Sequence, residues 1–269
     1  MQAIKTEHPP GAVVMVTSEL TRYGRSMMCL MELQAAPGSA VSWHQGVLIA
    51  ESLNAGLASF MKHAEYEWAW IMGDDHTYDP TILVNLLSRE KEVILPICVN
   101  RMPPYDPPIV VHGPEGGNLK FLEEMPTSGL YRLADNETCG DAGLLLRRRA
   151  VEKTGPPWYE QRRTGTFASD DQAFTAKLKE AGFDVWIDCD HPIGHIGPIT
   201  YVPVVRDGKW RIHLASSLTP VVELLPQRRA CLVRRVPVDR PSASPCERTR
   251  SRLAPRPPCL SWGSSPRTC

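Results

Sequence analysis

Residues 67–80 read EWAWIMGDDHTYDP. An apolar run carrying Trp68 and Trp70 stops at Gly73 and delivers Asp74, Asp75 and His76 in succession. Adjacent carboxylates repel unless a cation or strong donors offset them. Hard divalent cations take oxygen ligands, and Mn²⁺ also accepts imidazole. The triplet is therefore a candidate cation site; the plain alternative is a turn or helix cap built from aspartates. Two further clusters follow. FASDDQAF, at residues 167–174, sets Asp170 and Asp171 at the start of a helical pattern. Capping uses one of these carboxylates and leaves the other for chemistry. DCDHPIGHIGP, at residues 188–198, places Asp188, Asp190, His191 and His195 just after an apolar run. His195 lies in an irregular Gly-His-Ile-Gly loop, which suits a ligand better than a core face.

These residues need a frame that brings them together. Residues 12–17 (AVVMVT) form a short β-branched apolar run, the pattern of a buried strand. Residues 46–63 carry Leu48, Ile49, Leu53, Leu57, Phe60 and Met61 at helical spacing. Residues 67–72 read as the next strand. Residues 80–88 (PTILVNLLS) read as a helix with Asp79 as N-cap and Pro80 in its first position. Residues 92–99 (EVILPICV) close a β-α-β-α-β series. Such a series predicts a mostly parallel sheet with helices on both faces. Ligands of these sheets bind beyond the carboxyl ends of the strands, where Asp74, Asp75 and His76 stand.

The second half predicts a hairpin over 118–123 and 129–133, a strand over 142–146 and a short helix ending near Gly155. A helix over 171–181 is capped by Ser169 or Asp170 and stopped at Gly182, with a strand over 183–187. A second hairpin turns at Asp207 and Gly208. The expected fold class is α/β, with a small antiparallel portion.

Length and composition bound the class. The chain has 269 residues, enough for a sizeable core, and its 42% apolar and 22% charged content is that of a globular protein. A formal net charge of zero gives no pull towards nucleic acid or anionic membrane, so no stable nucleic-acid partner is expected. No apolar run reaches the ~18 residues of a membrane span. The amino-terminal MQAIKTEHPPG lacks the apolar stretch of a secretory signal, so the expected location is cytoplasmic. The eight cysteines form no C-x-x-C pair; free thiols are expected, and a zinc site made of cysteines alone lacks support. Residues 227–269 are rich in Arg, Pro, Ser and Cys and have no lysine. They read as a disordered tail on a domain spanning residues 1–226.

In the order and spacing of its motifs the chain resembles the GT-A nucleotide-sugar glycosyltransferases, especially small soluble prokaryotic and phage-type members. The resemblance runs from about Val13 to Trp210. MGDDHTYDP is similar to the family's Asp-x-Asp stretch, with the last aspartate on Asp75 and Gly73 in place of the first. The resemblance implies a Mn²⁺ or Mg²⁺ ion held by Asp75, with Asp74 or His76 filling the vacancy and His195 completing the site. SDDQAFTAKLKEAGFDVWID is similar to the family's acidic motif and its helix. It implies that Asp171 or Asp170 faces the acceptor and takes its proton. AVVMVTSEL is similar to the first strand, implying that Thr17, Ser18 and Glu19 hold the nucleoside. CGDAGLLLRR is similar to the stretch before the acceptor-side helix. Arg101 either pairs with phosphate or holds an acidic neighbour, and Trp158 either stacks on a sugar or covers the core.

The implied function is metal-dependent hexosyl-type transfer from a nucleotide-sugar donor to a carbohydrate or other hydroxyl-bearing acceptor. Two alternatives stand beside it. A nucleotidyltransferase would want a Gly-rich phosphate loop near the first strand, and TSELTRYGRS lacks that glycine pattern. A non-catalytic nucleotide-binding protein on a degenerate fold would account for Gly73.

Overall fold

A computed structural model describes residues 1–17, 24–46, 48–100, 105–113, 120–122, 124–160, 169–197, 200–216 and 219–224. In chain order the first elements are β1 (Gln2–Ala3), β2 (Ala12–Thr17), α1 (Gly24–Glu32), β3 (Gln34–Ala35) and β4 (Ala40–Gln45). Then come α2 (Ile49–Met61), β5 (Trp68–Gly73), β6 (His76–Thr77), α3 (Ile82–Ser88) and β7 (Val93–Pro96). The middle of the chain gives β8 (Ile109–Val111), β9 (Lys120–Phe121), β10 (Leu130–Arg132), β11 (Glu137–Cys139), β12 (Leu145–Arg147) and α4 (Arg148–Thr154). The last are α5 (Asp170–Glu180), β13 (Trp186–Asp188), β14 (Gly194–Ile196), β15 (Thr200–Arg206), β16 (Lys209–Ser216) and β17 (Thr219–Leu224).

The fold is α/β. Its main sheet has seven strands in the order β10-β13-β7-β12-β5-β2-β4. Strands β4, β2 and β5 run parallel, as do β7 and β13, while β12 lies antiparallel between β5 and β7. The carboxyl ends of β2, β5 and β7 therefore leave the sheet on one edge. All six residues of β2 are buried, as expected of a strand covered on both faces. Its alternation sorts the core into two halves. Val14 and Val16 join Ile71 and the α2 residues Leu53, Leu57 and Phe60. Val13 and Met15 join Trp68, Trp70, Met72 and the α3 residues Ile82 and Leu83 on the other face. The two tryptophans of β5 are core anchors with satisfied indoles: Trp68 donates to the Pro9 carbonyl and Trp70 to that of Gly143, each at 2.8 Å.

Among the described residues, three small sheets accompany the main sheet: β1-β3, β11-β8-β9, and the antiparallel β17-β16-β15-β14-β6. The predicted turn between β15 and β16 has Asp207 and Gly208 at φ 52° and 67°, the left-handed pair of a two-residue hairpin.

Several expectations are corrected. Strands β9 and β10 do not form a hairpin; β9 pairs with β8 and β10 with β13, because both are short and find partners across the fold. Asp79 does not cap α3 directly. Its Oδ1 accepts from the Thr81 amide at 2.8 Å and the Thr81 hydroxyl at 2.6 Å, and the helix starts at Ile82. For Trp158 the core reading holds: it is 5% exposed and donates its indole N–H to the Val151 carbonyl. Ser18, Glu19, Arg101 and the predicted tail lie outside the described residues. Among the described residues, no helix is long and apolar enough to cross a membrane.

Candidate functional site

A cleft of about 430 Å³ opens where β2, β5 and β7 end. Thr17, Asp74, Asp75, His76, Asp171 and His195 all line it, so one cavity gathers six predicted residues from four distant segments. Asp170, at the first position of α5, is not among the lining residues.

The meeting of His76 and His195 follows from strand pairing. β6 runs antiparallel to β14 with His195 directly opposite His76. Directly paired residues project to the same side of a ladder, and the two imidazoles stack with centroids 4.6 Å apart and planes 19° from parallel. His195 Nδ1 donates to the Val99 carbonyl at 3.0 Å, which turns Nε2 towards Asp75 Oδ2 at 3.2 Å. With Nδ1 committed as donor, Nε2 meets the carboxylate either as an imidazolium N–H or with a cation between them. His76 is 6% exposed, and neither of its ring nitrogens makes a hydrogen bond. Its Nδ1 lies 3.0 Å from Asp75 Oδ1, a charge contact without hydrogen-bond alignment. Burial acts to raise the Asp75 carboxyl, but the His195 hydrogen bond and the His76 contact outweigh it and hold the group well below the usual carboxylate range.

Gly73 is where the resemblance called for an aspartate. A Cβ there would lie 2.8 Å from Asp75 Oδ1 and 3.2 Å from His76 Nδ1. The position admits no side chain while those two groups keep their places.

The opposite wall is acidic. Asp171, in the first turn of α5, accepts from the Gln172 amide at 2.8 Å and from the Ser169 hydroxyl, both on Oδ1. Sequence reading missed its neighbour Asp141, which also lines the cleft and receives the Tyr159 hydroxyl at 2.7 Å. Asn54 on α2 holds that tyrosine in place. It accepts from the Trp158 and Tyr159 amides and donates to the Tyr159 carbonyl. Burial, and after it the Asp171 charge, push the Asp141 carboxyl up to about 7. Asp171 is also raised, chiefly by burial, against the pull of its own hydrogen bonds. Two carboxylates this close share out their protons as a pair.

Cys98, two residues past β7, was also missed. It is 4% exposed, and burial together with the Asp75 charge pushes its thiol up to about 12. The ligand atoms of His76, Cys98 and His195 lie within 4.8 Å of one another, a group that could hold a metal ion. By contrast Asp188, Asp190 and His191 are structural. Arg89 bonds Asp188 through Nε at 2.9 Å and also reaches Asp190, while His191 Nδ1 meets Asp188 at 2.9 Å; none of the three lines the cleft.

No family model and no curated protein matches the chain. Among solved structures, A197 from STIV is similar over 75% of this chain and 92% of its own, with 11% identity and a TM-score of 0.49. GalNAc-T7 with UDP, GalNAc and Mn²⁺ is similar over 72% of this chain and 45% of its own, with 10% identity and a TM-score of 0.48. At these values neither likeness speaks to chemistry, which is read from the cleft itself. The seven-stranded, mostly parallel sheet flanked by helices, with its small antiparallel sheets, is the α/β arrangement that the sequence predicts.

Proposed function

We propose that this chain is a metal-dependent glycosyltransferase that moves a sugar from a nucleoside-diphosphate-sugar to an acceptor hydroxyl. One observation carries the reading: a cation-ready group and a raised carboxylate pair line the same cleft at the carboxyl edge of a parallel sheet. Asp75, His195 and His76 are the proposed metal ligands. The 3.2 Å approach of His195 Nε2 to Asp75 Oδ2 and the 3.0 Å approach of buried His76 Nδ1 to Asp75 Oδ1 both fit that role. Two imidazoles beside a carboxylate favour Mn²⁺ over Mg²⁺. When bound, the ion neutralises charge on the departing diphosphate. Thr17 and Asp74, which line the cleft, serve the donor's nucleoside and diphosphate.

The acceptor side belongs to Asp141 and Asp171. A general base works best with a pKa near the working pH. Asp141, near 7 and oriented by Tyr159, fits better than Asp171, one of whose oxygens is held by Ser169 and Gln172. Asp141 takes the acceptor proton, and Asp171 positions the hydroxyl and tunes its neighbour. Asp170 serves as a helix-start charge, favoured by the dipole of α5.

The test is donor turnover. Sugar conjugates of UDP, GDP, CDP, ADP and dTDP are incubated with the full chain and Mn²⁺, and released nucleoside diphosphate is measured. Release from one donor class that stops with chelator and in Asp75→Ala supports the proposal. A folded protein that binds a nucleoside diphosphate but releases none from any donor, with or without sugar acceptors, would be a binding protein instead.

A further inference from the structure

The cleft carries a thiol that an oxygen-and-imidazole cation site does not need. Cys98 is the one described cysteine that lines it. Its Sγ belongs to the same cluster as the ring nitrogens of His76 and His195, all within 4.8 Å. The segment that presents Cys98 is also the one that aims His195, through the Val99 carbonyl. The adjoining Ile97 carbonyl accepts the Ile193 amide at 3.0 Å, tying this segment to the β14 loop. On β5, meanwhile, Gly73 supplies no ligand, and a Cβ there would crowd Asp75 Oδ1 at 2.8 Å. Buried His76 makes no aligned hydrogen bond through either nitrogen, its Nδ1 standing 3.0 Å from Asp75 Oδ1, and the Cys98 thiol donates at 3.7 Å to the same Val99 carbonyl that His195 uses.

We infer that Cys98 is a metal ligand and that, with Asp75, His76 and His195, it makes the site select a thiophilic divalent ion such as Zn²⁺ or Co²⁺ over Mg²⁺. This deepens the cation-site reading above and rests on it. Two imidazoles, one thiolate and one carboxylate are a donor set that borderline and soft ions accept, whereas Mg²⁺ wants oxygen and water. Cation binding displaces the thiol proton to solvent, since a coordinated thiol is deprotonated outright. Gly73 then marks a change of ligand chemistry rather than a loss of site.

Co²⁺ titration of the full chain, followed by absorption, tests this directly. The wild type should develop visible d–d bands together with a near-ultraviolet thiolate-to-cobalt charge-transfer band. Cys98→Ser should lose the charge-transfer band while keeping weaker d–d bands, and its Zn²⁺ affinity should fall on the order of 100-fold. His195→Ala keeps every cysteine, so loss of the band there as well assigns it to this cleft. Visible bands without charge transfer in the wild type would remove Cys98 from the ligand set and leave the cation site standing. Folded wild type that binds neither Co²⁺ nor Mn²⁺ would remove the cation site itself. If Cys98→Ser fails to fold by circular dichroism, Cys98→Ala replaces it, and the wild-type spectrum still decides the point.

Discussion

Replacing Asp141 with asparagine isolates the cost of a buried carboxylate. Asp141 is pushed from 3.8 to about 7 in the fold. In the unfolded chain it ionises near its ordinary value. Between about pH 4 and 7 the unfolded chain has therefore released a proton that the folded chain keeps, and stability falls as pH rises through that window. At about 1.36 kcal/mol per pH unit the full cost approaches roughly 4 kcal/mol. Repulsion shared with Asp171 is included in that figure, which is therefore a ceiling, and a gain on the order of 2 kcal/mol is expected. Asparagine keeps an oxygen for the Tyr159 hydroxyl and carries no charge. For a domain of this size, Asp141→Asn should melt about 4–8 °C above wild type at about pH 8, and the gap should nearly close at about pH 4.5. Calorimetry of the full chain at the two pH values reads the difference. A gap that is equal at both, or a variant less stable than wild type at pH 8, would refute the reasoning. The same variant should lose most turnover, as expected for loss of the proposed base.

Other perturbations reach the rest of the account. Gly73→Ala places a Cβ 2.8 Å from Asp75 Oδ1; it should weaken Mn²⁺ binding at least about 10-fold by calorimetric titration, and unchanged affinity would contradict the close approach. Arg89→Ala takes the guanidinium from fully buried Asp188 and leaves it the His191 ring and the Asp190 amide. It should cost about 3–5 kcal/mol in urea unfolding without altering metal affinity, so a loss below about 1 kcal/mol would show the pair to be dispensable. Truncation after Pro226 should leave the melting temperature of the body unchanged. A clear drop would mean that the proposed tail contributes to the fold.

How far the sequence could be read follows from burial. Strands β2 and β5 are covered on both faces, so their unbroken apolar runs were visible, as was the helical spacing of α2. β4 was not expected. It lies at the sheet edge with half-buried Ser42 and His44 beside exposed Trp43 and Gln45, and its mixed polarity gives neither an apolar run nor clean alternation. α1 is nine residues long, buries only Ser26 and Leu30, and opens on Gly24 and Arg25, so its apolar residues are too few to announce a helix. Asp75 and His195 stood out as chemistry because their neighbours broke the local pattern. Their pairing with His76 depends on the register of two strands of two and three residues, which no local signal encodes. Asp141 was missed for a related reason. One acid in CGDAG looks like a turn residue until Tyr159 and Asp171 are brought to it. Cys98 was hidden inside the apolar run EVILPICV, where a thiol reads as another core residue. The same blindness made Asp188 and His191 look available, although Arg89, 99 residues away, holds Asp188, and Asp188 in turn holds His191.

The most direct measurement is a thermal-shift panel of UDP, GDP, CDP, ADP and dTDP, each with and without Mn²⁺, on wild type, Asp75→Ala and His195→Ala. A ligand that binds only the folded state raises the melting point by mass action. The account predicts that one nucleotide raises it only when Mn²⁺ is present, and that both variants abolish the rise. A cooperatively melting wild type that responds to no nucleotide, with or without the ion, would contradict the account.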